Sequence, residues 1–187
     1  MKSTSPSGKP IPEEALAARW REVALGRASE QQKIETASRT GKSKATAFIP
    51  QLRELLRDED PEVRYYALQA LVLDLKQKDS EMAGVCWRFL EEDPEKDVRS
   101  MAAACLGSIY FGSGDRRVFE RLVRVMKDPR QPDYAQRGAY SALFSVAGRH
   151  PNEWPGHGVS WREPDVPIDW AKVAELEDSL DALIEPQ

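Results

Sequence analysis

Asp60-Pro61-Glu62-Val63-Arg64-Tyr65-Tyr66-Ala67-Leu68-Gln69-Ala70-Leu71 is the stretch that decides the fold. Asp60 is a good N-cap, and Pro61 suits the first helical position, where its missing N–H costs nothing. Val63, Ala67, Ala70 and Leu71 recur at helical spacing, so one face is buried, with alanines where a second helix can come close. Ahead of it, Ile49, Leu52, Leu55 and Leu56 give a second helical pattern that ends in Arg57-Asp58-Glu59. Two helices meeting at a short turn follow from this pattern.

The pattern then repeats. Asp93-Pro94 leads into Val98-Arg99-Ser100-Met101-Ala102-Ala103-Ala104-Cys105-Leu106-Gly107, and Leu71 and Leu106 are 35 residues apart, as are Arg64 and Arg99. Met82, Val85, Cys86, Phe89 and Leu90 mark the helix before it. A third copy carries Val118, Phe119, Leu122, Val123, Val125 and Met126, then Asp128-Pro129, then Ala135, Ala139, Ala142 and Leu143. There the turn is longer, and Gln136 stands where the arginine stood. A helix-pair period of this length signals an all-α chain, an α-solenoid in which each unit buries its face by stacking on its neighbours.

The Asp-Pro-x-Val-Arg-x-x-Ala-x-x-Ala-Leu string resembles the HEAT repeat, and the bacterial HEAT-like proteins in particular, over about residues 46–148. The resemblance implies a right-handed stack of about three antiparallel helix pairs whose second helices line a concave face. It also implies that Asp60, Asp93, Arg64 and Arg99 are framework residues that bond turns within and between repeats, so no catalytic role attaches to them.

Length and composition agree. A chain of 187 residues, 41% hydrophobic and 31% charged, fits one helix-rich globular domain. No apolar run approaches the ~18 residues of a membrane span, and the amino terminus lacks the apolar centre of a secretion signal. Two cysteines on apolar helix faces, Cys86 and Cys105, fit a reducing compartment, which makes the cytoplasm the expected location. They are read as two small buried side chains, although belonging to the two helices of one repeat would also permit a disulfide.

Outside the repeats, residues 1–11 are expected to be a disordered tail and 12–45 a helical cap on the stack. Pro12-Glu13-Glu14 makes a good first turn, with Leu16, Trp20 and Val23 as the apolar stripe and Gly26 placed to end the helix. Ser29-Glu30-Gln31-Gln32 reads as a capping box for a second helix reaching about Arg39, whose apolar content (Ile34, Ala37) is thin enough that little burial is expected. Gly41-Lys42-Ser43-Lys44 reads as a turn. It lacks the earlier glycine and the preceding strand of a phosphate-binding loop, so it is no nucleotide site. Residues 149–187 hold a Pro/Trp-rich loop with Trp154 and Trp161, expected to cap the last repeat or bind a partner, and a helix from Asp169 to Ile184. Its stripe of Trp170, Val173, Leu176, Leu180, Leu183 and Ile184 calls for a groove on the last repeat, with its acids near the third outer helix.

No catalytic set is evident. His150 and His157 stand alone on the Pro/Gly loop, the cysteines belong to a distant helix pair, and neither a metal site nor a cofactor fingerprint is present. Function then rests on surface. Off the alanine stripe, the second helices should present Tyr65, Gln69 and Val72 in the first unit. Ser100, Ala104 and Ser108 follow in the second, and Arg137, Ser141 and Phe144 in the third. That lining is small, polar and aromatic with a single arginine, which suits a protein partner better than a nucleic acid. Net charge is −4, yet residues 115–130 carry six basic against three acidic side chains. Arg117, Arg121, Arg124 and Lys127 form a basic stripe there, read as a site for an acidic partner or a phosphate backbone, or else as a solvated face or a dock for the chain's own acidic tail. The expected function is a non-catalytic protein-interaction module without cofactor or metal. The alternatives are a nucleic-acid-binding or DNA-repair protein resembling the HEAT-like alkyl-base glycosylases, or an inhibitor of immunity type that binds another enzyme.

Overall fold

The Asp60 carboxylate caps its helix by accepting from the Val63 amide at 3.0 Å, so the helix begins at Pro61 as its sequence dictates. The computed structural model describes residues 11–153 and 167–184, with Pro151 and 181–184 as backbone alone. Every regular element among the described residues is helical. The chain divides into two compact units, one ending at Lys78 and the other starting at Asp79, between the first and second of the three repeats.

The first unit holds α1 (Glu13–Ala24), α2 (Glu30–Lys42), α3 (Ile49–Leu55) and α4 (Pro61–Leu68), which opens into a π-helical turn over Gln69–Asp74. Two hairpins, α1–α2 and α3–α4, stack through their second helices, α2 on α4 and on the π-turn. Leu16, Trp20, Leu52, Leu55, Val63, Ala67 and Leu71 are buried between them. Of the expected tail, Ile11 is described, and its amide donates to Ser43 Oγ at 3.1 Å.

Three expectations need correction here. First, α2 is no thinly buried cap helix: Ile34, Thr36, Ala37, Ser38, Thr40 and Gly41 are all buried. The hydroxyls make this tolerable, since Thr36 and Thr40 donate to the carbonyls of Gln32 (2.6 Å) and Thr36 (2.7 Å) four residues back. Thr40 Oγ1 also accepts from Trp20 Nε1 at 3.0 Å, so both threonine hydroxyls and the indole N–H are satisfied. Second, Gly41 and Lys42 finish α2 instead of forming a turn. A Cβ on Gly41 would lie 2.5 Å from Asp74 Oδ2 and 3.1 Å from Ala70 Cα, so only glycine lets α2 reach the π-turn. Third, Val72 is fully buried and not part of any groove. Its place was read at α-helical pitch, whereas the wider π winding after Gln69 changes which residues face inward. The expected capping box is present, with Ser29 and Gln32 bonding each other's backbone at 3.3 and 2.9 Å.

The second unit holds α5 (Ser80–Glu92), α6 (Lys96–Ile109), α7 (Arg116–Lys127), α8 (Asp133–Val146) and α9 (Trp170–Ile184). Hairpins α5–α6 and α7–α8 stack through α6 and α8, and α9 packs on α8. Ala102 and Ala139 are fully buried, as is Ala67 in the first unit. The α6–α8 seam is close because it is lined by glycine: Cβ atoms on Gly138 and Gly107 would stand 2.9 Å from Ala103 Cβ and 2.8 Å from Ser145 Oγ. Asp169 caps α9, accepting from the Ala171 and Lys172 amides; Val173, Leu176 and Leu180 are buried as the stripe requires, whereas Trp170, expected in that stripe, is 44% exposed. Cys86 and Cys105 are buried thiols that form no disulfide, and desolvation, with the Cys86 thiol beside it, holds Cys105 well above the usual thiol range. The stretch with Trp154 and Trp161 lies outside the described residues.

Each repeat ties its turn with a side chain from its second helix. Arg64, only 9% exposed, donates to the carbonyls of Asp58 (2.9 Å) and Glu59 (2.8 Å). Arg99 donates to the Asp93 carbonyl and to Gln131 Oε1, the latter at 2.6 Å and belonging to the next repeat's turn. In the third repeat Gln136 takes over, donating to the Asp128 carbonyl at 3.0 Å. The missing arginine therefore leaves no gap. Asp93 does not cap α6, because Lys96 is its first residue. The carboxylate accepts instead from the Glu95 amide at 3.0 Å, closing the turn ahead of α6.

Candidate partner-binding surface

Within the second unit, α6 turns one side to α5 and α8 turns one side to α7, so their remaining faces meet solvent on either side of the glycine seam. On that face Ser100, Ser108, Arg137 and Ser141 are half-buried, and Ala104 is exposed. Small side chains over closely approaching backbones leave a shallow floor. Arg137 stands above it, its Nη1 4.0 Å from Asp133 Oδ2, a carboxylate that is itself open to water. Phe144 does not belong to this lining. It is buried with its ring edge-on to the buried Tyr140 at 5.4 Å, on a side of α8 away from the glycine seam.

Within the first unit, Tyr65 and Gln69 are half-buried on the outward side of α4. Tyr65 meets Tyr66 in an edge-on pair at 5.1 Å, and Gln69 is where the π-turn begins.

The basic residues of α7 do not share one environment. Arg121 is taken up by the fold: its guanidinium makes a bidentate pair with Glu91 (2.9 and 3.0 Å) and lies 4.2 Å over the Trp87 ring. Lys127 sits 5.6 Å over Trp170, and Arg116 is 3.8 Å from Glu177, so the last helix does bring an acid to this one. Arg117 and Arg124 are exposed. His150 is exposed as well, its Nδ1 accepting from the Asn152 amide, and His157 lies outside the described residues. Among the described residues no group of three or more His, Cys, Asp or Glu is arranged to hold a metal, and no helix is long and apolar enough to cross a membrane.

Reading by helical period missed one exposed aromatic. Phe111 is 56% exposed, two residues beyond α6, on a turn fixed by Gly112 N–H to Ser145 O (2.8 Å) and Gly114 N–H to Val146 O (3.1 Å). The signal was in Phe111-Gly112-Ser113-Gly114, an aromatic followed by two glycines, which a search for helical stripes passes over.

The family model described as HEAT repeats matches residues 49–144, from the first residue of α3 to within α8. The chain belongs to the HEAT-repeat family. Neither curated proteins nor solved structures gave a match. HEAT repeats are commonly protein-interaction modules and generally non-catalytic scaffolds, which agrees with turn-tying roles for the repeat arginines.

Proposed function

We propose that this HEAT-repeat protein is a non-catalytic interaction module, working in the cytoplasm, that holds a protein partner on the solvent faces of its second helices. Ser100, Ala104, Arg137 and Ser141 in the second unit, and Tyr65 and Gln69 in the first, are the contact residues. The observation that carries this reading is the face of α6 and α8, where small residues and one arginine lie over a glycine-lined seam. Close backbones and short side chains admit another polypeptide, Arg and Tyr are the residue types that anchor interfaces, and a rigid stack loses little ordering entropy on binding.

A nucleic-acid partner has less support. A duplex wants several cations in line, whereas Arg121 is committed to Glu91 and Trp87 and Lys127 faces Trp170, leaving Arg117 and Arg124.

The test takes the protein that copurifies with the native chain and measures its affinity for the parent and for a Tyr65→Ala, Arg137→Ala, Ser141→Ala triple variant. At least a tenfold loss with unchanged thermal unfolding is expected. Equal affinity would remove the assignment, and low-salt binding to duplex DNA that disappears in Arg117→Ala, Arg124→Ala would replace it with the alternative.

A further inference from the structure

We infer that Arg39 of α2 is the receptor for an acidic side chain of a protein partner, at a position apart from the contact residues named above.

Arg39 is half-buried, and its Nε is sealed from water with no acceptor in reach. Among the described residues, no hydrogen bond or ion pair engages its guanidinium. Arg64, Arg99 and Arg121, by contrast, each donate to a named acceptor. A buried donor left unmet costs the folded chain free energy, and more so on a charged group, so this arginine is kept against stability. The row it stands in shows that the vacancy is local. Glu35, Arg39 and Ser43 follow one another along α2 at four-residue spacing. Glu35 is met by Arg19 of α1 at 3.6 Å and by Gln31 at 3.3 Å. The Ser43 hydroxyl accepts from the Ile11 amide at 3.1 Å and donates to the Ile11 carbonyl at 3.4 Å. Only the arginine between them is unmatched.

Its direction follows from its neighbours. Thr40 turns to Trp20 of α1 and Gly41 to the π-turn, so at about 100° per residue Arg39 stands about 200° from Gly41, away from α4. Charge then identifies what fits. The ten residues ahead of Ile11 contain Lys2 and Lys9 and no acid, so the adjoining chain has no carboxylate to offer. One guanidinium balances one negative charge, and its planar fork matches a carboxylate. A phosphate dianion would lie within a turn of Glu35 with a single free cation to balance it. An Asp or Glu of a protein meets both conditions, and arginine is among the residue types that dominate such interfaces.

The probe is a displayed library of random twelve-residue peptides, selected on the full chain and counter-selected on Arg39→Met, which keeps an apolar stem and removes the fork. Surviving peptides should carry Asp or Glu and bind Arg39→Met at least tenfold more weakly than the parent. Changing that acid to Asn or Gln should cost them at least tenfold on the parent. Arg39→Met should unfold at the parent's temperature or above it, since the stranded N–H leaves with the substitution. A lower unfolding temperature means that Arg39 serves the fold, and overturns the inference. So does a selection without survivors, or survivors that lack an acid or tolerate its removal. The Tyr65→Ala, Arg137→Ala, Ser141→Ala variant should bind the survivors as the parent does, so this inference and the reading above fail separately. A loss in that variant would place the peptides on the other surface and overturn the assignment to Arg39. Low-salt binding to duplex DNA that vanishes in Arg39→Met would give the position to a phosphate and overturn it as well.

Discussion

In the first unit α2 reaches α4 and its π-turn across Gly41, with Thr36, Ser38 and Thr40 buried alongside. In the second, α6 reaches α8 across Gly107 and Gly138, between faces of alanine and leucine. The two seams do the same work. Their difference teaches that close approach of helices needs absence of bulk, and that hydroxyls can supply it as well as methyls when they donate four residues back, as Thr36 and Thr40 do.

If the two seams are equivalent, deleting the matched leucine should hurt both units alike. Leu71→Ala and Leu106→Ala, at positions fully buried in their respective units, should each cost about 2–5 kcal/mol in urea unfolding. A loss under 1 kcal/mol in one alone would break the comparison.

A methyl at the seam comes next. Gly41→Ala and Gly138→Ala should each destabilise by about 1–3 kcal/mol, since both added carbons would collide with a neighbour. Gly84→Ala at an exposed position of α5, with nothing within 4 Å, should stabilise by up to about 1 kcal/mol through helix propensity alone. A stabilised Gly41→Ala would show that α2 does not sit where described.

Thr40→Val sharpens the contrast by testing the hydroxyl instead of the volume. It strands the Trp20 indole N–H, which now donates to Thr40, and should cost about 1–2 kcal/mol with a shift in tryptophan emission. Alanine-faced α6 offers no counterpart of that bond.

The smallest effect concerns pH. Lys33 of α2 bonds Asp58 at 2.7 Å, and that hydrogen bond holds the ammonium above its ordinary value of 10.5. A raised folded pKa means stabilisation that is complete below the unfolded value and lost as pH rises through the folded one. The stability gap between parent and Lys33→Met should therefore be constant from pH 7 to 9 and narrow above about 10.5. A gap that widens there would contradict the pairing.

What the sequence disclosed follows from these chemistries. Repeats built on alanine, leucine and an Asp-Pro start announced themselves, and Leu52, Val63, Ala67, Ala102 and Ala139 are buried as their spacing requires. The burial of α2 was hidden because Thr and Ser are apolar in packing yet polar in a hydropathy count. Val72 was misplaced by a change of helical pitch that no single residue signals, and Phe144 because it packs against Tyr140 on the buried side of α8. On the surface, Arg117, Arg121, Arg124 and Lys127 share spacing and differ in fate, because Glu91, Trp87 and Trp170 come from other elements. Spacing along one helix shows which residues are neighbours in line. It is silent on what arrives from outside.

The meeting of Gly112 and Gly148 has a consequence for how such a chain can change length. Both lie in the left-handed region, and a Cβ on Gly148 would be 3.3 Å from the Cα of Gly112, so the linkers after α6 and α8 brace each other backbone to backbone. Neither has room to lengthen without prising the other away, whereas the α7–α8 linker already carries extra residues and is still tied down by Gln136. An inserted tag or grafted loop is therefore better placed between Pro129 and Arg130 than after either braced glycine, so that Gln131 keeps its bond to Arg99.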